Sequence, residues 1–312
     1  ILSGFLVAGS LERCRSLVSF LGLRIIRIIP ALAVEVLLCA LILGPFFTTL
    51  PLVDYLLNPN FHKYFLNIIG DIHYYLPGVF EENKSTQVNG QLWTVPWELA
   101  CYVAISLIVI MGGYKNKFGL TSVVVIGYIM ELLQYFYSSK IENVATGQIT
   151  LLCFITGLWF YRNKEKIPYS KKLFIFSLFT CIILITTSNC IRFLPLPLAY
   201  ITVYLGLTNP KRSAIILNGD YSYGIYLYGY AIQQAVFSIS PIFNIWYFNL
   251  LVSLPLVILI AYLSWHFVEL PVLQRKGFLK KIEDNVMDQH LVKNYEYIKF
   301  FFAIRNMTPM KR

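Results

Sequence analysis

Apolar residues run through the chain in long blocks, separated by short charged stretches or by Pro and Gly breaks. The blocks fall near 1–9, 28–50, 92–111, 119–137, 148–161, 173–188, 195–207, 221–240 and 248–268. A helix that crosses a bilayer needs about 20 predominantly apolar residues. Several blocks are shorter, so the helices are expected to reach a few residues into their flanks. No 20–50-residue repeat and no low-complexity tract interrupts this pattern. The pattern predicts an all-α fold, a polytopic integral membrane helical bundle of about nine helices.

Composition narrows the class. The chain is 57% hydrophobic and 13% charged, with a mean hydropathy of +0.62. A soluble domain is about 45–50% apolar and about 25% charged. A water-soluble enzyme, a disordered chain and a disulfide scaffold are therefore excluded. The net charge of +10 would suit nucleic acid in a polar chain. In so apolar a chain it reads as the positive-inside bias, and no nucleic-acid partner is expected.

The placement of the basic residues gives the orientation. Of the 26 Lys and Arg, all but Lys63, Lys84, Lys140 and Arg192 fall in 10–27, 112–118, 162–172, 208–214 and 269–312. These segments lie on one side if every block crosses, which makes that side cytoplasmic and places the C-terminus there. The division is a membrane domain over 1–271 and a basic cytoplasmic tail over 272–312. Within the tail, Val286 to Phe302 is compatible with a surface helix, and a solvated, lipid-attracted segment is the simpler account. On the other side, the loop 51–91 is too long for a plain turn. It is either a cap over a site that opens outward or a variable surface loop.

Ionisable groups inside a membrane are costly and mark function by default. Glu35, Glu98, Glu131 and Asp220 sit in or at spans. Glu98 ends the run Gln91-Leu92-Trp93-Thr94-Val95-Pro96-Trp97-Glu98, where a span begins with two Trp at interface depth. Glu35 is expected one turn into its helix, within reach of Arg27 or Arg24. Glu131 and Asp220 read as interhelical hydrogen-bonding groups. Arg24-Ile25-Ile26-Arg27 sets two guanidiniums three residues apart on one helix face. Such forks suit phosphate and pyrophosphate, although plain membrane anchoring explains the spacing too. Ser222-Tyr223-Gly224 opens a span after Asp220, with small residues that permit close packing and a Tyr that either lines a polar cavity or belongs to an interfacial aromatic belt. The four histidines (His62, His73, His266, His290) lie outside the middle of any span, and His266 reads as structural. The six cysteines show no metal or redox spacing, so no metal site is expected.

Four stretches together carry a family resemblance. Leu2-Ser3-Gly4-Phe5-Leu6, Arg24-Ile25-Ile26-Arg27-Ile28-Ile29-Pro30, Gln91-Leu92-Trp93-Thr94-Val95-Pro96-Trp97-Glu98, and Ser222-Tyr223-Gly224-Ile225-Tyr226-Leu227 with Phe267-Val268-Glu269-Leu270-Pro271 occur in that order. Over residues 1 to about 275 the chain resembles the membrane acyltransferase 3 family, whose bacterial members acylate surface glycans. The resemblance implies ten core helices and thus one ahead of Ile1, carrying an Arg and the His taken as catalytic base. A chain without that helix is expected to be inactive alone. Gly229 departs from the family, where many members have His. What the resemblance implies is acyl transfer from acyl-coenzyme A, commonly acetyl-coenzyme A, to a hydroxyl of a cell-surface or lipid-linked glycan. The location would be the plasma (inner) membrane, with lipids as neighbours and no permanently bound cofactor. In that scheme Arg24 and Arg27 bind the coenzyme, Glu98 serves catalysis by orienting the base or sugar, and Trp93, Ser222 and Tyr223 bind substrate. The competing readings are a transporter or flippase of lipid-linked sugars, disfavoured because the acidic groups are expected near span ends, and an inactive fragment of the transferase.

Overall fold

The computed structural model describes residues 1–14, 16–114, 116, 118–137, 147–187, 190–208, 219–275 and 277. The basic tail, including Val286 to Phe302, therefore lies almost wholly outside the described residues. In chain order the helices are α1 (Leu2–Arg13), α2 (Leu17–Leu38), α3 (Leu52–Leu57), α4 (Pro59–Tyr64), α5 (Thr94–Ile110), α6 (Gly119–Tyr137), α7 (Gly147–Arg162), α8 (Lys171–Thr186), α9 (Pro195–Gly206), α10 (Ser222–Ile239), α11 (Trp246–Ser264) and α12 (Leu270–Gln274). Among the described residues there is no strand, only an isolated bridge between Thr48 and Val79. The protein is an all-α membrane helical bundle.

Among the described residues, three helices are long and apolar enough to cross a bilayer: Leu17–Phe47, Gly90–Ile110 and Trp246–Gln274. The first is α2 continued by a π-helical turn, Cys39–Leu43, and a last α-turn, Gly44–Phe47. The third is α11 continued by a second π turn, Trp265–Glu269, into α12. Lipid explains their surfaces. On α11, Leu251 is 71% exposed and Ile258 47%, an arrangement that water would penalise at about 25 cal/mol per Å².

One of the expected boundaries changes. The apolar block begins at residue 28, but the helix begins at Leu17. Leu17 to Leu23 hold no Pro or charge and are mostly apolar, and packing of residues such as the buried Phe20 offsets the weak helix propensity of Ser19 and Gly22. Arg24 and Arg27 thus lie within α2 rather than in the loop before it. Glu35 consequently stands midway along Leu17–Phe47, not near a span end.

The chain divides into two compact units. One comprises Ile1–Phe20 with Trp97–Lys211, and the other Leu21–Pro96 with Arg212–Asp284, apart from the undescribed C-terminal segment. In the first unit α1 lies against α7. A Cβ on Gly157 would stand 2.2 Å from the Ile1 carbonyl oxygen, so only glycine permits that approach. Phe160, Ala199 and Tyr200 form a core between α7 and α9. Glu131 on α6 pairs with Arg192 at 3.6 Å, both nearly inaccessible, which agrees with an interhelical polar role for Glu131.

In the second unit α10 and α11 form a hairpin through a short 3-10 turn, Pro241–Asn244. Gly224 lets them meet, since a Cβ there would stand 2.9 Å from Ala261. The segment 51–93 is a packed part of this unit. It buries Tyr55, Phe61, Tyr64, Asn67, Leu76 and Asn89. Asn67 holds its turn by donating from Nδ2 to the Tyr64 and His73 carbonyls at 2.8 and 3.0 Å.

Candidate functional site

The second unit gathers its polar side chains at two levels along α2. Arg24, Arg27, Ala31 and Glu35 recur at helical spacing and share one face. At the first level the Arg27 guanidinium donates to Asp220 Oδ2 at 2.6 Å. Ser222 Oγ donates to the other oxygen, Oδ1, at 2.6 Å. Tyr223 Oη donates to the Ile28 carbonyl on α2 at 3.2 Å. Two of the residues assigned to substrate or coenzyme, Arg27 and Ser222, therefore meet on one carboxylate, and Tyr223 bonds the backbone next to Arg27. Pro30 lies just beyond, and having no N–H it leaves the Ile26 carbonyl without its helical partner.

The ion pair is half-exposed, with each side chain 45% accessible. Its own contribution to stability is therefore small, about 0–1 kcal/mol. Its chemical consequence is larger. Asp220 holds Nη2 of the guanidinium, and the side chain stays 45% accessible, with further N–H donors of a kind suited to phosphate oxygens. Arg24 lies one turn away and is partly buried. Glu269 is buried and accepts from Ser264 Oγ at 3.3 Å, and Ser264 Oγ in turn accepts from Tyr228 Oη on α10 at 3.2 Å. The stretches around Arg24, Ser222 and Glu269, distant in sequence, thus meet in space.

The second level is a buried cluster. Glu35 and Asn89 are both wholly inaccessible. Asn89 Nδ2 donates to Glu35 Oε1 and to Tyr64 Oη at 2.6 Å. Cys39 Sγ donates to the same Glu35 oxygen at 3.1 Å. Glu35 Oε2 and Asn89 Oδ1 accept no hydrogen bond from any described residue. The expectation that Glu35 pairs with Arg27 or Arg24 is corrected. Arg27 has turned to Asp220, and Glu35 lies two turns further along α2 with an amide and a thiol as partners. The π turn follows at once. Tyr55 Oη donates to the Ala40 carbonyl inside it at 2.7 Å, supplying the bond that the π register disturbs. Such bulges are frequent at functional sites.

Trp93 closes the 3-10 turn Gly90–Trp93, which docks on α10 one turn beyond Tyr223. Tyr226 Oη donates to the Gln91 carbonyl and lies 2.6 Å from Thr94 Oγ1, and Gln91 Nε2 donates to the Leu227 carbonyl at 2.6 Å. Trp93 is itself 39% exposed. Glu98 belongs to the first unit, where it accepts from Tyr102 Oη at 2.5 Å. His266 packs at a tilt against Tyr262, with ring centroids 4.2 Å apart, and contacts the Tyr262 carbonyl through Nδ1 at 2.9 Å, a structural setting. No group of three metal-ligating side chains occurs among the described residues.

Asn89, Tyr64 and Cys39 were not singled out from the sequence. Asn and Tyr in a long loop carry no spacing signal, and Cys39 reads as a small hydrophobe. The available clue was Glu35 on the face of Arg24 and Arg27, which implies a buried partner supplied from elsewhere.

Comparison with known proteins places the chain in a family. An O-acetyl transferase of Shigella phage Sf6 is 24% identical over 88% of this chain and 83% of its own length. No solved structure gives a significant match. The acyltransferase domain model of the acyltransferase 3 family matches residues 1–268, a span that takes in both levels of the α2 face together with Glu98, and the chain belongs to that family.

Proposed function

We propose that this acyltransferase moves an acyl group, acetyl before others, from acyl-coenzyme A to a hydroxyl of a cell-surface or lipid-linked glycan. The observation that supports it is the Arg27 guanidinium, held by Asp220 at 2.6 Å with Arg24 one turn away. Coenzyme A carries a pyrophosphate and a further phosphate, and paired Arg forks are the side chains that recognise such groups. The name of the phage relative, an O-acetyl transferase, favours acetyl and an oxygen acceptor.

In the reaction the acceptor hydroxyl oxygen attacks the thioester carbonyl carbon. The carbon–sulfur bond breaks, a base takes the hydroxyl proton, and the coenzyme leaves as its thiol. Positioning of this kind supplies about 7–11 kcal/mol of the barrier at best, and a base contributes about 10²–10⁴-fold. Arg24 and Arg27 anchor the donor, and Ser222 and Tyr223 flank that anchor. Trp93 lines the approach, and Glu98 orients the base or the sugar. The location is the plasma membrane, with the arginines and the C-terminus at the cytoplasmic face, as the distribution of Lys and Arg favours.

The mid-helix position of Glu35 favours a second reading, a transporter of lipid-linked sugars. The two differ in the glycan itself. Deleting the gene should remove ester-linked acyl groups from the surface glycans, read by proton NMR before and after mild alkali. Unchanged acylation with an altered amount of exported glycan would favour transport and overturn the transferase reading.

A further inference from the structure

The end of α10 away from Asp220 opens into a cavity of about 500 Å³, within the range of about 300–1,000 Å³ usual for small-ligand sites. Its walls come from α10, α11, the turn between them, and Lys84 with Ser85 on the loop leading to Asn89. Two kinds of side chain dominate the lining. Tyr230, Phe243 and Trp246 present aromatic surface, and Gln233, Asn244 and Asn249 present amides.

The walls are braced. Gln234 is buried and donates from Nε2 to the Ser85 and Gln87 carbonyls at 2.9 and 3.0 Å. Asn83 Nδ2 donates back to Gln234 Oε1 at 3.0 Å. Asn249 Nδ2 donates to the Gln233 carbonyl at 3.1 Å, tying α11 to α10. The loop and the two helices are thereby held in one arrangement around the space.

The lining selects its occupant. A lipid or acyl chain would fit the rings but leave several amides and an ammonium unpaired, which is costly. A nucleotide would call for more than one cation. A pyranose meets both surfaces, with its hydroxyl edge on donor–acceptor amides and its C–H face on an indole or phenyl ring. Lys84 adds a donor and a positive charge, which favours a saccharide bearing a carboxylate or phosphate.

We propose that this cavity is the acceptor subsite, holding one or two sugar units against Trp246 with Gln233 and Asn244 on their hydroxyls. The proposal rests on the glycan-acylation reading and deepens it. Ser222 and Gln233 are eleven residues apart on one helix, about 16 Å at 1.5 Å per residue. Donor anchor and acceptor subsite then occupy opposite ends of α10. The same loop carries Lys84 and Ser85 to the cavity and Asn89 to Glu35.

The test uses the full-length protein in lipid nanodiscs and oligosaccharides released from the host's surface glycans by mild acid. Saturation-transfer NMR should show the oligosaccharides bound. Trp246→Ala and Asn244→Ala should each weaken that binding at least tenfold while leaving acyl-coenzyme A binding unchanged. Arg27→Ala should do the reverse. Because Trp246 is 74% exposed and Asn244 is exposed, these substitutions leave the packed core alone, and retained coenzyme binding verifies the fold. Absence of saccharide binding by the wild-type protein, or binding undiminished in both cavity variants, overturns the proposal. Saccharide binding by a protein that transfers no acyl group would instead leave the subsite standing and refute the transferase reading.

Discussion

Glu35 shows how one side chain's setting decides what its replacement does. Its Oε1 is the acceptor for both Asn89 and Cys39 in a fully buried place. Glu35→Ala would take that acceptor from both donors, leaving Asn89 its bond to Tyr64, and open a cavity; an orphaned buried group costs about 1–3 kcal/mol. Glu35→Gln keeps an acceptor oxygen and the shape. Thermal unfolding in detergent should therefore show a clear loss for Ala and a small one for Gln, and equal melting temperatures for the two would contradict this account of the cluster. The contrast with Asp220 is instructive. Its pair with Arg27 is half-exposed, so Asp220→Asn should move the melting temperature little and act chiefly on how Arg27 is presented. Arg24, Arg27 and Asp220 were visible in the sequence because charge inside an apolar chain is conspicuous. Asn89 and Tyr64 were not, because what makes them notable is burial against Glu35, and burial of a loop residue has no signature in spacing.

At the scale of elements, the helices were legible and the loop was not. Membrane helices announce themselves because the same residues satisfy the lipid all round, and the nine blocks correspond to α1, α2 and α5 to α11 with shifts at their ends. The largest shift, at the start of α2, arises because a helix continues past its apolar block wherever the residues tolerate it. The segment 51–93 folds through aromatic burial and Asn-mediated turns that no period reveals. Burial pushes the hydroxyls of Tyr55 and Tyr64 upward from the ordinary tyrosine range. The folded state therefore keeps their protons where the unfolded chain gives them up, so stability falls as the pH rises above about 10. Melting temperature followed from pH 8 to 11 should drop at the alkaline end, and by less in Tyr64→Phe. An equal drop in both proteins would show that Tyr64 is not the group responsible. Helix contacts give a second expectation. Gly157→Ala would force α1 from α7, whereas a Cβ on Gly229 meets nothing within 4 Å. Gly157→Ala should lower the melting temperature and Gly229→Ala should leave it the same or raise it, alanine being the better helix former by about 1 kcal/mol.

Across the whole molecule, α10 organises the chemistry. The Arg27–Asp220 pair lies at its start, the motif turn before α5 docks midway, and the aromatic and amide cavity lies toward its end. A transferase that takes its donor from one side of a membrane and its acceptor from the other needs such a division. The most direct test of the central claim is transfer of radiolabelled acetyl from acetyl-coenzyme A to the host's membrane glycans by the full-length protein. Wild type should label the glycan in an alkali-labile linkage. Replacing both Arg24 and Arg27 by Ala should abolish labelling at low acetyl-coenzyme A, with at least a tenfold rise in the concentration needed for half-maximal rate. Labelling by the double variant at the wild-type level and the wild-type half-saturating concentration would contradict the account.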